Sequence, residues 1–402
     1  MTLTQTPARL ARARELADEM IAFRRDLHRH PELSFQEVRT GERVAAHLRA
    51  LGYSVRHPVA RTGVVADLHR GSGPTVAVRA DMDALPILEE TGLEFASQNA
   101  GVMHACGHDA HTAMLMGAAR LLAESDFAGT VRLIAQPAEE GPGDDPEGYS
   151  GGYRMVEAGA LEGVHAALAL HVQPFLPVGR IDVQAGPRMA SADSFRLVVR
   201  GVSAHGAQPQ HGVDALLAAA AIVMAAQGIV ARNLSPLEAG VVTFGAIQGG
   251  TKENIIADEV VLRGTVRALS APVRERLLTR LRTVVSATAE AYGASAELSF
   301  EPGYPVTENH PGATRVLQNT VRSLLGEDAL AYPEPTLGAE DFSFMLQRVP
   351  GAYAMLGAAP EGEVIGVHHP RFRLSEQALP IGAAYLAQGA LDLLAAVRTA
   401  EL

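Results

Sequence analysis

Residues 103–111, MHACGHDAH, bring a cysteine, three histidines and an aspartate together in one short segment. Cys106 is the only cysteine in the 402 residues, so no disulfide can form within the chain. Thiolate, imidazole and carboxylate donors at this spacing suit zinc, manganese, cobalt or nickel better than calcium or magnesium. A Cys-x-His pair on its own is also explained by a buried cysteine beside surface histidines. Further potential ligands elsewhere in the chain are needed to decide between these interpretations.

Apolar runs on both sides of this segment end in polar residues. Runs at 75–86, 130–140 and 165–172 lead respectively into Asp81 and Asp83, Glu139 and Glu140, and His171. The alternation of such runs with helical patterns predicts an α/β fold, a parallel or mixed sheet covered on both faces. Ligand sites of open α/β sheets gather at the carboxyl ends of the strands. Taken singly, the glutamates fit a solvated acidic loop and the histidine an ordinary edge position, but their shared placement favours one site.

The order of predicted strands and helices changes in the second half of the chain. From residue 187 to residue 303 the pattern runs strand, helix, strand, strand, helix, strand, between proline-containing segments. This order predicts a ferredoxin-like α+β unit inserted into the first domain. A chain of this length is also too long for one typical core. We therefore predict an α/β domain in two parts, 1–186 and 304–402, with the insert at 187–303.

Composition narrows the class of protein. Acidic residues outnumber basic ones by 45 to 34, a net charge of −11, which argues against nucleic acid or an anionic membrane as partner. The first 20 residues contain no apolar signal core, and with a single cysteine we expect a cytoplasmic protein. Residues 213–231 approach membrane-span length. Because this segment is alanine-rich and contains Asp214 and Gln227, we predict a helix buried at a domain or subunit interface.

Seven segments together resemble a known family. RADMDALP, MHACGHD, QPAEEG, ALHVQP, SAHGAQP, GAEDFSFM and VHHPRF occur in the order and at the spacing of the M20 metallopeptidases. The resemblance is closest to the aminoacylase/amidohydrolase branch, which includes hippurate hydrolases, N-acetyldiaminopimelate deacetylases and auxin-conjugate hydrolases. It extends over almost the whole chain. It implies a mixed-sheet catalytic domain of metallo-exopeptidase type with an inserted lid that also forms a homodimer, or a tetramer.

The resemblance also implies a role for each matching residue. The metal ligands it implies are Cys106, His108, Glu140, His171 and His368. They would share two divalent ions, manganese or zinc, with cobalt or nickel also possible. Glu139 would be the general base for a metal-activated water, and Asp83 would orient a ligand. The family pattern H-x-P-x-F selects His368 over His369. Asp81 stands where other branches have a histidine ligand, a donor that Cys106 replaces here.

Three residues of the insert match family positions that contact the substrate. His205 in SAHGAQP resembles a histidine that stabilises the oxyanion, often in the neighbouring subunit's site. Asn254 and Arg267 resemble residues that hold the substrate carboxylate or carbonyl, although Arg267 also fits an ordinary surface charge on a strand. The chain departs from the family in SAHGAQP, where GGHAAxP is usual, and in a longer loop at 142–153. Both departures lie near the expected substrate entrance and leave the substrate open.

These features predict a metal-dependent amidohydrolase that cleaves N-acyl amino acids, hippurate-like or N-acetyl, to a carboxylic acid and an amino acid. A dipeptidase or carboxypeptidase of the same family is the alternative within enzymes. A non-catalytic relative that keeps the fold for ligand binding is the alternative outside them. Retention of Glu139 together with all five ligands argues against the last.

Overall fold

A computed structural model describes residues 5–402, with side chains described from residue 8 onward. The strands are β1 (Ser54–Val59), β2 (Gly63–Arg70), β3 (Thr75–Asp81), β4 (Gly129–Gln136), β5 (Ala166–Gln173), β6 (Ile181–Asp182), β7 (Gly186–Met189), β8 (Ser191–Arg200), β9 (Ala204–His205), β10 (Gly240–Gly249), β11 (Ile255–Ile256), β12 (Glu259–Ala268), β13 (Ser295–Phe300), β14 (Thr307–Asn309), β15 (Leu330–Ala331) and β16 (Gly351–Gly357). The helices are α1 (Gln5–Glu15), α2 (Ala17–Arg29), α3 (Val38–Ala50), α4 (His108–Ala123), α5 (Gly151–Glu157), α6 (Ala215–Asn233), α7 (Ala271–Ala291), α8 (Pro311–Leu325), α9 (Ser343–Leu346) and α10 (Ala378–Arg398).

The chain divides into two compact units. The large unit contains the residues up to Gly186 together with Glu308–Glu334 and Asp341–Leu402. The small unit contains Pro187–Thr307 and Pro335–Glu340. Relative to the predicted insert, 187–303, the small unit takes in two further segments. Tyr304 exchanges two backbone hydrogen bonds with Ala192, of 2.9 and 3.0 Å, which extends the unit beyond residue 303.

The large unit is built on an eight-stranded mixed sheet, in the order β1-β2-β4-β3-β5-β16-β6-β15. Its central strands β4, β3, β5 and β16 run parallel, whereas β1 and β2 pair antiparallel at one side. The central strands β3 and β5 are buried along nearly their whole length, as expected for strands covered on both faces. The carboxyl ends of β3, β4 and β5 therefore meet at one edge, and the mixed α/β fold predicted for this domain is confirmed.

Helices α4 and α10 belong to the buried core of the large unit. Small residues let them approach closely: a Cβ at Gly382 of α10 would collide with the Met114 sulfur of α4, and one at Gly117 of α4 would collide with the Cβ of Ala383 in α10. By length and composition alone, α6 and α10 could each span a membrane. The most apolar stretch of α10 is 83% buried, which identifies it as a core helix of the large unit.

The small unit has a four-stranded antiparallel sheet, in the order β10-β12-β8-β13, packed against α6 and α7. Along the chain these elements follow as β8, α6, β10, β12, α7 and β13, the predicted ferredoxin-like order. Only 33% of the apolar stretch of α6 is buried. Its alanine face packs on the sheet, whereas Leu217 and Met224 on other faces are 55% and 73% exposed. Within its own unit, α6 is therefore covered on one face only.

Candidate metal centre

The sheet edge formed by β3, β4 and β5 gathers the predicted site residues of the large unit. Glu139 and Glu140 follow the end of β4, and His171 is the third-last residue of β5, near the same edge. His108 is the first residue of α4, and Cys106 lies two residues before it. Gly107, between them, has a left-handed backbone conformation with φ 91°. Glycine adopts this conformation without strain, and a Cβ at Gly107 would also collide with Val172.

His368 joins the site from the loop between β16 and α10. Its backbone N–H donates to the carbonyl of Ala105 at 2.7 Å, which ties the loop to the segment that carries Cys106. Its φ is 64°, uncommon for a residue other than glycine. The Nε2 atom lies 3.2 Å from Glu140 Oε1, and this neighbouring carboxylate raises the pKa of His368. A strained backbone thus places the imidazole beside a carboxylate.

The five predicted ligands form a connected cluster. Three groups of potential ligand atoms each lie within 4.8 Å of one another: Cys106, His108 and His171; Cys106, Glu140 and His368; and His108, Glu139 and Glu140. The Cys106 Sγ atom lies 3.3 Å from His171 Nε2. His108 Nε2 is 3.8 Å from Glu140 Oε1 and 3.9 Å from Glu139 Oε2, beyond hydrogen-bond distance. The three groups share Cys106, His108 and Glu140, so together they form one continuous candidate site.

The arrangement of donors fits divalent cations. His108 Nε2 is buried without a hydrogen-bond partner while it faces the two glutamates. Its other nitrogen is held by Asp83, and the Nδ1 of His171 donates to the carbonyl of Val172 at 2.7 Å. In both rings the Nε2 is therefore the nitrogen directed into the cluster, as ligand histidines require. Sulfur, imidazole and carboxylate donors together suit the later transition metals and zinc.

Electrostatics in the cluster are dominated by burial and by negative charge. Burial, and then the nearby Glu140 and Glu139, raise the pKa of the Cys106 thiol well above its usual value. A cation there would reverse this effect, because a coordinating thiol is deprotonated. Burial keeps the pKa of His171 well below its usual value. Burial alone would also lower the pKa of His108, but Asp81 and other carboxylates outweigh it and raise the pKa to about 10.

Asp83 binds the segment that carries both glutamates. Its Oδ1 accepts from the backbone N–H of Glu139 at 3.0 Å and faces His108 Nδ1 at 3.2 Å. Its Oδ2 accepts from the N–H of Glu140 at 3.0 Å and from the Ser34 hydroxyl at 2.8 Å. Burial opposes ionisation of this carboxyl, but the hydrogen bonds, that of His108 foremost, lower its pKa overall. One carboxylate thus orients the imidazole of His108, a predicted ligand, and two adjacent backbone N–H groups.

Glu37 is a site residue that the sequence analysis missed. Its fully buried carboxylate accepts from the backbone N–H of Ala138 at 2.8 Å and from the Thr62 hydroxyl at 2.5 Å. Ala138 has a φ of 50°, and this turn directs the next two amides toward Asp83. Burial, with Asp83 nearby, raises the pKa of Glu37 to about 7. Its position in RHPELSFQE, far from MHACGHD in sequence, carried no metal-ligand spacing that could have revealed it.

Asp81 makes hydrogen bonds outside the five-ligand cluster. One of its oxygens faces His111 Nδ1 at 2.6 Å, and the other accepts from Arg79 at 2.8 Å. Asp81 Oδ2 is 3.8 Å from His108 Nε2. Arg79 and His111 are both fully buried, and neither was assigned a role from the sequence. A signal existed for His111, since it lies one helical turn after His108 on α4.

The predicted substrate-contacting residues lie in the small unit. His205 in β9 pairs with Ile255 of β11, and the N–H of Gly206 donates to the carbonyl of Asn254 at 2.8 Å, so His205 and Asn254 are neighbours in one ribbon. His205 is exposed, and its Nδ1 accepts from the N–H of Ala207 at 3.0 Å. Arg267 lies in β12, half-buried, and burial lowers its pKa. Its Nε donates to Thr265 at 3.2 Å.

A mixed α/β sheet whose carboxyl edge gathers thiol, imidazole and carboxylate donors defines a metallohydrolase. Residues 77–392 match the family model described as Peptidase family M20/M25/M40, and the chain belongs to this family. The predicted family, and with it a hydrolase that acts on amide bonds, is confirmed.

Relatives and solved structures agree with this assignment. The chain is 41% identical to thermostable carboxypeptidase 1 of Saccharolobus solfataricus, over 92% of this chain and 94% of the relative. It is 39% identical to N-acetylcysteine deacetylase of Bacillus subtilis, over 94% and 98% of the two chains. The crystal structure of a dinuclear metal binding peptidase of the M20 family from Bacillus subtilis has a TM-score of 0.82 at 36% identity, covering 95% of this chain and 99% of that one.

Proposed function

We propose that this protein is a metal-dependent amidohydrolase that cleaves N-acyl amino acids, hippurate-like or N-acetyl, to a carboxylic acid and a free amino acid. The observation that carries the proposal is the cluster of Cys106, His108, Glu140, His171 and His368 with Glu139 at its side. A relative 39% identical over nearly the full length is an N-acetylcysteine deacetylase, which removes an N-acyl group from an amino acid. Members of this family act on small amide substrates, and we propose a small-molecule substrate for this chain as well.

Two divalent ions held by these five residues would supply an activated water and polarise the scissile carbonyl. The remaining chemistry belongs to the chain itself. Glu139, buried at the edge of the cluster, accepts a proton from the attacking water and delivers it to the leaving amine. The bond from its N–H to Asp83 fixes the backbone that carries this base. Manganese and zinc both fit the donor set, and either is proposed as the native metal.

The small unit completes the proposal. His205 would stabilise the oxyanion in the site of a second subunit, and Asn254 and Arg267 would hold the substrate carboxylate or carbonyl. Arg267 suits a carboxylate because its planar group bonds both oxygens. We assign dimerisation to this unit because Leu217 and Met224 leave an apolar face of α6 exposed. The protein would act in the cytoplasm on small molecules, without nucleic acid or membrane partners.

A carboxypeptidase activity is the second candidate, since the relative with 41% identity has that name. Such an enzyme would cleave peptides that end in a free carboxylate, and the same metal cluster would serve. The two activities differ in the group on the carbonyl side of the scissile bond, an acyl group without an amine or an aminoacyl group with a free amine.

The test is release of free amino acid from a panel of N-acyl amino acids and dipeptides by manganese- or zinc-loaded protein. Chelated protein and Glu139→Gln are the controls. Release from acyl substrates that disappears in both controls supports the proposal and identifies the substrate. Release of amino acid from dipeptides alone would contradict the acylase activity and support the peptidase activity. Absence of any turnover by protein that still binds two metals contradicts both activities.

A further inference from the structure

The backbone of Val172 is hydrogen-bonded to two histidine rings. Its carbonyl accepts from His171 Nδ1 at 2.7 Å, and its N–H donates to His111 Nε2 at 2.9 Å. The β3–β5 ladder ends at the pair Arg79–Ala169, before Val172 is reached. The His111 ring thus provides the acceptor that the neighbouring strand provides farther back along β5.

The hydrogen bonds of His111 determine its tautomer. A backbone N–H can only donate, so His111 Nε2 must accept from Val172 and carries no proton. The proton therefore resides on Nδ1, which donates to Asp81 Oδ1 at 2.6 Å. The ring is neutral in this arrangement, and its two nitrogens have opposite roles. The other tautomer, or a doubly protonated ring, would point an N–H at the N–H of Val172.

Asp81 is itself firmly anchored. Arg79 donates to its Oδ2 at 2.8 Å, and the same guanidinium donates to Gln136 and Asp341, each at 2.9 Å. All of these side chains are buried. The backbone carbonyl of Asp81 also accepts from the Thr112 hydroxyl at 2.8 Å, which joins it to the helix that carries His111. A buried and charge-assisted network therefore stands behind the imidazole.

We propose that His111 is a positioning residue of the metal centre, acting through the backbone of Val172 on the imidazole of His171. His111 holds the N–H of Val172, and the carbonyl of the same residue keeps His171 Nδ1 engaged, so that Nε2 is directed toward Cys106 Sγ, 3.3 Å away. The Val172 side chain packs closely against Gly107, where it would collide with an added Cβ. The inference rests on the proposed role of His171 as a ligand.

Two matched variants separate this role from a general effect on folding. In His111→Gln the side-chain amide reaches the position of Nε2, accepts from Val172 and gives up the bond to Asp81. In His111→Asn the amide reaches the position of Nδ1, keeps the bond to Asp81 and leaves the Val172 N–H unpaired. Each variant loses one buried hydrogen bond, and the bond lost in His111→Gln ends on a carboxylate, so the melting temperature of metal-free His111→Gln should fall at least as far as that of His111→Asn.

The measurements are the dissociation constants of cobalt and zinc, by competition with a chromophoric chelator, and the visible spectrum of the cobalt-loaded proteins. We expect His111→Asn to bind metal about tenfold or more weakly than wild type, with altered cobalt bands. We expect His111→Gln to remain within about threefold, with the wild-type spectrum. Equal metal affinities in the two variants, at wild-type level or equally weakened, would overturn the positioning role. Failure of the wild-type protein itself to bind metal would overturn the metal centre and this inference together.

Discussion

Replacing Asp83 by asparagine tests how the two glutamates are held in place. The carboxylate has a backbone N–H on each oxygen, that of Glu139 on Oδ1 and that of Glu140 on Oδ2. In Asp83→Asn one of these oxygens becomes an NH2 group, whichever way the amide turns. The hydroxyl of Ser34 can rotate and accept, but a backbone N–H cannot. One of the two amides is therefore left without an acceptor in either orientation.

The magnitude follows from the bonds lost. Each hydrogen bond from a backbone N–H to Asp83 has a charged acceptor, and such a bond is worth about 1.5–3 kcal/mol. The N–H that loses its acceptor stays buried. We therefore expect a cost of about 3 kcal/mol. Since 1.4 kcal/mol is tenfold, kcat/KM should fall by roughly 10²-fold if this cost falls on the active geometry. Ser34→Ala is the matched control, because it removes one neutral donor from the same carboxylate, and we expect less than about tenfold.

The assay is kcat/KM on the substrate found in the panel, together with metal content and the melting temperature of the metal-free protein. Loss of activity with two metals still bound would place the effect on the glutamate segment. Asp83→Asn with kcat/KM within about threefold of wild type would refute the reasoning, since it would show that the paired amides do not need a charged acceptor.

Three further predictions concern single side chains. Glu139→Gln should lower kcat by about 10²–10⁴ and leave metal affinity within a few-fold, and equal losses in kcat and metal binding would make it a ligand instead of the base. The folded-state pKa of Glu37 is about 7, above its ordinary value, so the folded protein retains a proton that the unfolded chain loses. This contribution to the free energy of unfolding falls as the pH rises from about 4.5 to 7, by up to roughly 3 kcal/mol. In Glu37→Gln, whose amide can still accept from Ala138, melting curves should lose that slope; curves parallel to wild type across this range would contradict the assignment. Arg267→Lys should raise KM more than it lowers kcat if the guanidinium binds the substrate carboxylate through both oxygens, and an unchanged KM would favour the surface-charge interpretation.

Much of the fold could be predicted because polar residues stand at the ends of the apolar strand segments. Asp83, Glu140 and His171 follow or end apolar runs, and parallel strands bring such ends to one edge of the sheet. The inserted unit was visible from the order of its elements alone. The two segments of this unit beyond residue 303 could not be predicted, because they join it through backbone hydrogen bonds such as those of Tyr304. Such bonds leave no pattern in the side chains.

The residues that hydrogen-bond to the backbone beside the predicted ligands could not be predicted in the same way. Glu37 and His111 act on backbone N–H groups, of Ala138 and Val172, so their partners have no characteristic residue type. The loop at 142–153 shows the same limit. Its glycines and acids do not reveal its hydrogen bonds, in which Asp145 accepts from Arg154 at 2.7 Å and from two backbone amides of the loop. Contacts between residues distant in sequence, or between side chain and backbone, determine these features.

The central claim is that five side chains from one sheet edge hold two metal ions. Anomalous diffraction at the manganese edge, from crystals of the full chain grown with manganese, tests it most directly. The account predicts two peaks in one cluster, each within about 2.0–2.4 Å of ligand atoms, that together contact Cys106, His108, Glu140, His171 and His368. A single ion, or ions that leave out Cys106 and His171, would contradict the account.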